Sequence, residues 1–187
     1  MMIPAGMFKA RLAAAGLTYV GHAGTASGSA VNLPGGVQPG DTILIVYGVG
    51  GGLLTVTGFT ETANMNNPHI LYKMSASGSE GSSVPITSGT VRGALSVVLR
   101  GVDASVPPQE VARVTGGDPP SISPSWGTSK PSAFVAMAYV ANTPPISVSV
   151  WPNNYTNGQG LDSYNFGGTG TSYGSIIAAT RFATLGS

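Results

Sequence analysis

Glycine and proline punctuate this chain from end to end, and that punctuation decides what it can fold into. There are 28 Gly and 14 Pro in 187 residues. Gly gives tight turns their positive φ, while Pro presets φ and removes a backbone donor. Between the breaks lie short apolar runs such as Thr42–Tyr47 (Thr-Ile-Leu-Ile-Val-Tyr), Gly93–Arg100 and Ala133–Tyr139. A composition rich in Gly and Pro also permits disorder, but a hydrophobic fraction of 42% is enough to bury. Short strands joined by turns are therefore expected, the pattern of an all-β protein.

The strands can be read off in order. Leu17–Gly21 opens the β pattern and Ala30–Leu33 follows. Gln38-Pro39-Gly40-Asp41 is a turn that launches Thr42–Tyr47, and Gly48–Gly52 is a loop. Leu54–Val56 and Phe59–Ala63 read as a hairpin about Gly58. His69–Met74, Val84–Thr87 and Gly93–Arg100 are further strands. Val106–Ser132 carries Pro107, Pro108, Pro119, Pro120, Pro124 and Pro131, so it is expected to be a long connection with edge strands at most. Ala133–Tyr139 is a strong strand, with Ile146–Trp151 as its expected partner. Asn153–Ser172 reads as a loop, and Ser175–Phe182 closes the fold. Strands at these spacings without helices between them predict an antiparallel β-sandwich, immunoglobulin-like or jelly-roll. Met7–Ala15 reads as a short helix or an extended arm. The expected organisation is an N-terminal arm over 1–16 and one sandwich domain over 17–187.

The main strands do not alternate cleanly. In Thr42–Tyr47, Gly93–Leu99, Ala133–Tyr139 and Ser175–Ala179 both parities are largely apolar or small. A strand with one wet face alternates. Either other parts of the chain cover the second faces, or another subunit does.

Charge narrows the function classes. Only 8% of residues are charged, against roughly 25% in ordinary soluble domains. The eight basic residues are scattered, so the clustered cations that nucleic-acid binding needs are missing. A surface this poor in charge is weakly protected from association, so self-association is expected. There are no cysteines, which excludes disulfides, thiolate metal sites and cysteine nucleophiles. No apolar run reaches the ~18 residues of a membrane helix, and Leu12–Ala15 is too short for a signal-peptide core. Synthesis in the cytoplasm without membrane insertion is the expectation.

No catalytic, cofactor or metal constellation emerges. His22 and His69 have neither the spacing nor the third ligand of a metal site. Among the carboxylates Asp41, Glu61, Glu80, Asp103, Glu110, Asp118 and Asp162, the three in Pro-Gly-Asp, Gly-Val-Asp and Gly-Gly-Asp contexts read as turn caps. Gly48-Val49-Gly50-Gly51-Gly52-Leu53 lacks the third glycine and the following helix of a dinucleotide fingerprint. No Gly-x-Ser-x-Gly elbow sits between a strand and a helix, and the expected fold lacks the helix that would aim such a nucleophile. The chain is therefore expected not to be an enzyme.

Two segments have the look of contact surfaces. Trp151, Tyr155, Tyr164, Phe166 and Tyr173 lie among amides and glycines, a mixture that suits a subunit contact or a sugar face, or aromatics folded back on the core. Ile3, Met7, Phe8 and Leu12 place apolar side chains on the arm, to be buried on a neighbour or on the protein's own sheet. On the first reading, removal of Met1–Ala15 leaves the sandwich folded.

Several phrases occur together and in order: Tyr19-Val20-Gly21, Gln38-Pro39-Gly40-Asp41, Leu71-Tyr72-Lys73, Ser77-Gly78-Ser79-Glu80-Gly81 and Leu99-Arg100-Gly101-Val102-Asp103. Over Leu17–Pro108 the chain resembles a loose family of β-sandwich proteins encoded among the virion genes of tailed bacteriophages and prophages. The resemblance implies a non-enzymatic virion structural protein with no catalytic residues. Because the chain lacks heptads and repeats, a head-decoration or minor capsid component is expected. The alternative is a tail-associated adhesin that binds a receptor or carbohydrate. Its partners would be capsid or tail subunits, further copies of itself or a host-surface glycan, and its place the virion.

Overall fold

The computed structural model describes residues 4–11, 16–48, 53–62, 69–91, 93–115, 122–127, 130–141, 155, 162–166 and 174–183. Strand is the only regular structure among them. The strands are β1 (Pro4–Arg11), β2 (Thr18–Thr25), β3 (Ala30–Asn32), β4 (Thr42–Tyr47), β5 (Thr55–Val56), β6 (Thr60–Glu61) and β7 (His69–Lys73). They continue as β8 (Ser83–Ser88), β9 (Ala94–Arg100), β10 (Gln109–Thr115), β11 (Ser132–Ala141), β12 (Asp162–Phe166) and β13 (Gly174–Ala183). Every pairing between them is antiparallel. The fold is an all-β sandwich.

Three sheets build it. One has the order β10-β1-β11-β13-β12, the second β2-β9-β4-β7-β6, and the small third β3-β8-β5. The second sheet is the middle layer. Leu44, Val46, Ile70, Leu95, Val97 and Leu99 pack against Ala133, Val135, Met137, Ile176 and Ala178 of the first sheet. The opposite parity, Ile43, Ile45, Tyr47, Leu71, Ala94 and Val98, packs with Val31, Val56 and Val84 of the small sheet and with Leu33, Leu54 and Val91 beside it. All six residues of β4 are buried for this reason.

The missing alternation is thus explained within one chain. The outer face of the first sheet is covered too: Phe134, Ala136 and Ala179 pack with Tyr155, Val111 and Ile122. Ile122 belongs to the proline-rich connection, whose residues 122–127 are tied to the first sheet. Gln109 Nε2 donates to Ser125 Oγ at 2.6 Å, Ser125 N donates to Gln109 Oε1 at 3.0 Å, and Trp126 Nε1 donates to Ser132 Oγ at 3.1 Å. Among the described residues Leu53 is the one large apolar side chain left exposed. Among the described side chains, the second faces that suggested coverage by another subunit are buried within this chain.

Three expectations change. Residues 4–11 are neither a helix nor a free arm: they form β1, hydrogen-bonded to β10 on one side and β11 on the other. The boundary drawn after residue 16 therefore cuts through a sheet. Residues 54–63 are not a hairpin, because β5 pairs with β8 in the small sheet while β6 pairs with β7 in the middle one. The turn between them, closed by Phe59 N donating to Val56 O at 3.1 Å, carries the chain from one layer to the next. The loop expected over 153–172 contains β12, an edge strand on β13. The expected strand Ile146–Trp151 lies outside the described residues.

The place of β1 reverses the expected outcome of removing it. It holds seven paired positions with β11 and five with β10. Losing an internal strand costs an amount comparable with the ~5–15 kcal/mol that stabilises a whole domain. Deleting residues 1–11 should abolish the cooperative thermal transition followed by circular dichroism. A truncated chain that melts within a few degrees of the full one would show that β1 is dispensable.

Candidate functional site

The phrases that carry the phage resemblance meet at one end of the sandwich. Asp41 sits between the Gln38-Pro39-Gly40 turn and β4, and its side chain is 1% exposed. Its Oδ2 accepts from Gln38 N at 2.8 Å and so caps the turn, as expected. Arg100, at the end of β9, adds a forked contact: Nε donates to Asp41 Oδ1 at 2.8 Å and Nη2 to Oδ2 at 2.9 Å. The same Nη2 donates to Gly36 O at 2.9 Å. These bonds hold the guanidinium above its ordinary pKa, although burial pulls the other way.

The Ser77–Gly81 loop joins the same cluster. Gly40 N donates to Ala76 O at 2.9 Å and Ala76 N to Asp41 O at 2.7 Å. Gly78 has φ +82° and lies so close to Pro39 that a Cβ would come 2.5 Å from the proline Cδ. No other residue fits both conditions. Glu80 accepts from Lys73 Nζ at 2.9 Å, from Ser77 N at 2.6 Å, from Ser77 Oγ at 2.9 Å and from Gly78 N at 2.9 Å. Burial alone would raise this carboxyl, but the donors outweigh it and hold Glu80 at about 2. Gly101, with φ +81°, is pressed against Gly16 O, where no Cβ has room. Asp103 accepts from Ser105 N at 3.0 Å and Ser105 Oγ at 2.6 Å, which is again a turn cap.

A second polar cluster stands at the far edge of the middle sheet. Cross-strand pairing sets His69 opposite Tyr47, and the rings stack with centroids 5.2 Å apart. His69 Nδ1 is 2.7 Å from Glu61 Oε1 on β6. Tyr47 Oη donates to the same oxygen at 3.1 Å and accepts from Leu54 N at 3.2 Å. Burial pushes the Tyr47 phenol above its ordinary pKa, the Leu54 N–H opposes that, and the Glu61 charge adds to it. The phenol therefore stays a neutral donor.

Chemically, this is the arrangement closest to a catalytic one, with a carboxylate orienting an imidazole. The bonded partners of that carboxylate are the ring, the phenol and no nucleophile. Among the described residues no three His, Asp or Glu side chains gather to hold a metal ion. What the cluster does is tie the two-residue strand β6 and Leu54 to the sheet. Sequence reading took His69 and Glu61 separately and missed the group. His69 faces Tyr47 only once the pairing of β4 with β7 is known.

The expected contact residues fare unevenly. Tyr155 is packed against its own sheet at 9% exposure, with its phenol raised to about 12 by burial against the opposing charge of Arg181. It is a core residue and offers no contact surface. Met7 and Phe8 lie within β1, opposite Ala136 and Val135. Tyr164 and Phe166 lie on the edge strand β12, opposite Ile176 and Gly174. Ile3, Leu12, Trp151 and Tyr173 lie outside the described residues. No protein-family model, curated protein or solved structure matches the chain.

Two outcomes test the turn-end cluster. Arg100→Met leaves the buried Asp41 carboxylate without its counter-ion. It should cost about 3 kcal/mol in urea unfolding, the low end for a broken buried pair because the arginine is itself 37% exposed. Glu80 has a folded pKa of about 2 against an ordinary 4.5, so its contribution to stability is present above pH 4.5 and is lost as pH falls toward 2. Glu80→Gln should flatten the acid limb of a stability-versus-pH curve over that window. An unchanged slope would show that the bonds to Glu80 are not the cause.

Proposed function

We propose that this chain is a non-enzymatic structural component of a bacteriophage particle, of the head-decoration or minor capsid kind. The observation that carries the proposal is where the family-like phrases go. Asp41, Lys73, Gly78, Glu80, Arg100 and Gly101 come from separate stretches of sequence and build one interlocked turn end. The residues on which the resemblance rests thus serve to close turns, which supports an architectural role.

The polar groups support the same reading. The carboxylates Asp41, Glu61, Glu80 and Asp103 are engaged by partners inside the protein. Asp41, Glu80 and Asp103 hold turns, and Glu61 ties His69 and Tyr47 to β6. A compact sandwich whose sheet faces are covered by its own chain suits a building block that meets neighbours through loops and strand edges. The burial of Tyr155 removes one of the aromatics on which a carbohydrate-binding adhesin would rely.

Quantitative mass spectrometry of purified particles separates these roles. A copy number in the hundreds is the expected result for a decoration protein. A handful of copies would overturn decoration in favour of a tail component, and absence from the particle would overturn the virion reading altogether.

A further inference from the structure

The first sheet is closed by a strand that comes from the wrong end of the chain. β1 precedes every other described strand, yet it lies between β10 and β11. Lys9 is paired with both Gln109 and Phe134, and Ala10 with Ala133. The walls of the slot are thus made about a hundred residues or more after the strand that fills it. Without β1, the facing edges of β10 and β11 present a row of unpaired backbone donors and acceptors, which is a template for any matching strand.

One short link ties β1 to the rest of the protein. β1 ends at Arg11, and the next fixed point is Gly16. That residue is held where Gly101 presses on its carbonyl, at the end of β9 in the middle sheet. Arg11 and Gly16 thus stand in different layers, with four residues of sequence between them. Packed sheets lie ~10 Å apart, and five extended peptide steps reach only ~17 Å. A short link leaves little freedom in how β1 returns to its own slot, and short hinges favour exchange between copies.

We propose that β1 is an exchangeable strand, so that two copies of this chain can trade it, each β1 filling the slot between β10 and β11 of the other. The partner is a second copy because the slot is specific. Every backbone pairing that β1 makes at home is reproduced in an identical neighbour, and exchange is opposed chiefly by the entropy of association. A tethered strand competes at an effective concentration in the millimolar range, so the closed monomer prevails in dilute solution. Exchange gains ground where copies are crowded or where the slot opens before its own strand arrives. This does not depend on the particle role proposed above, and its failure would leave that role standing.

The absence of cysteine makes the test clean. Full-length chains carrying either Ala10→Cys or Ala133→Cys are mixed at high concentration, taken to the urea midpoint and returned to native conditions before an oxidant is added. Ala133 is fully buried, so a thiol there is out of reach of chance collisions and meets the partner's thiol only if the partner's β1 occupies the slot. The expected result is a reductant-sensitive band of doubled mass in the mixture and not in the Ala133→Cys chain alone. The double variant Ala10→Cys/Ala133→Cys, kept dilute, should link within the monomer. An internal link in the double variant with no doubled band in the mixture would overturn exchange. Failure of the double variant to link at all would overturn the register on which the proposal rests.

Discussion

The middle sheet is apolar on both faces, and most of the structure follows from enclosing it. β4 and β9 have neighbouring strands on both sides and neighbouring layers above and below. A polar group in such a layer has no water to turn to and must find a partner in the protein. Ser96 does so by donating to Asn32 O at 2.7 Å, where β3 crosses. Thr42 Oγ1 reaches Met74 O at 3.1 Å, and Tyr47 is held by Glu61 and Leu54. The small sheet β3-β8-β5 exists to cover this layer. Its short strands bury Val31, Val84 and Val56 inward, with Ile86 partly buried beside them.

Charge is scarce in this protein, and two of its ion pairs lock turns. Asp41 with Arg100 joins segments remote in sequence, and Lys73 with Glu80 ties the end of β7 to the loop that follows it. Each pair combines a well-buried carboxylate with a more exposed cation, so the carboxylate is the costly partner to leave alone. Backbone donors from Gln38, Ser77 and Gly78 complete the satisfaction of those carboxylates. In this chain these residue types thus serve to close a β-sandwich end.

The strongest strands were legible because their apolar runs are bounded by turn residues. Thr42–Tyr47 matches β4 residue for residue, while Gly93–Arg100, Ala133–Tyr139 and Ser175–Phe182 match β9, β11 and β13 to within a residue or two at each end. The turn roles of Asp41 and Asp103 were legible for the same local reason. What depends on distant pairing was not. β1 carries Gly6, Lys9 and Arg11 among its apolar residues and looks like an arm until β10 and β11 are placed beside it. β5 and β6 are two residues each and take partners in different layers, so their proximity in sequence misleads. The Tyr47–Glu61–His69 group joins three strands and leaves no local signature.

The order of strands also implies an order of assembly. The small sheet and the pairing of β4, β6 and β7 use residues 30–88 and are comparatively local. β9 then joins β4, and β2 completes the layer. At that point Leu44, Val46, Leu95, Val97 and Leu99 form an apolar face with nothing on it, because Val135, Met137 and Ile176 belong to strands still to come. In the finished fold the first sheet covers that face, with β1 between β10 and β11. Closing so long a loop adds little to its free-energy cost, since that cost grows only with the logarithm of length. The delay matters more, because non-local pairing is slow and leaves edges and apolar surface open meanwhile. An identical strand from a neighbouring copy is the ligand best matched to the slot during that interval. The topology that makes β1 indispensable to the finished sheet is thus the same topology that leaves its source open.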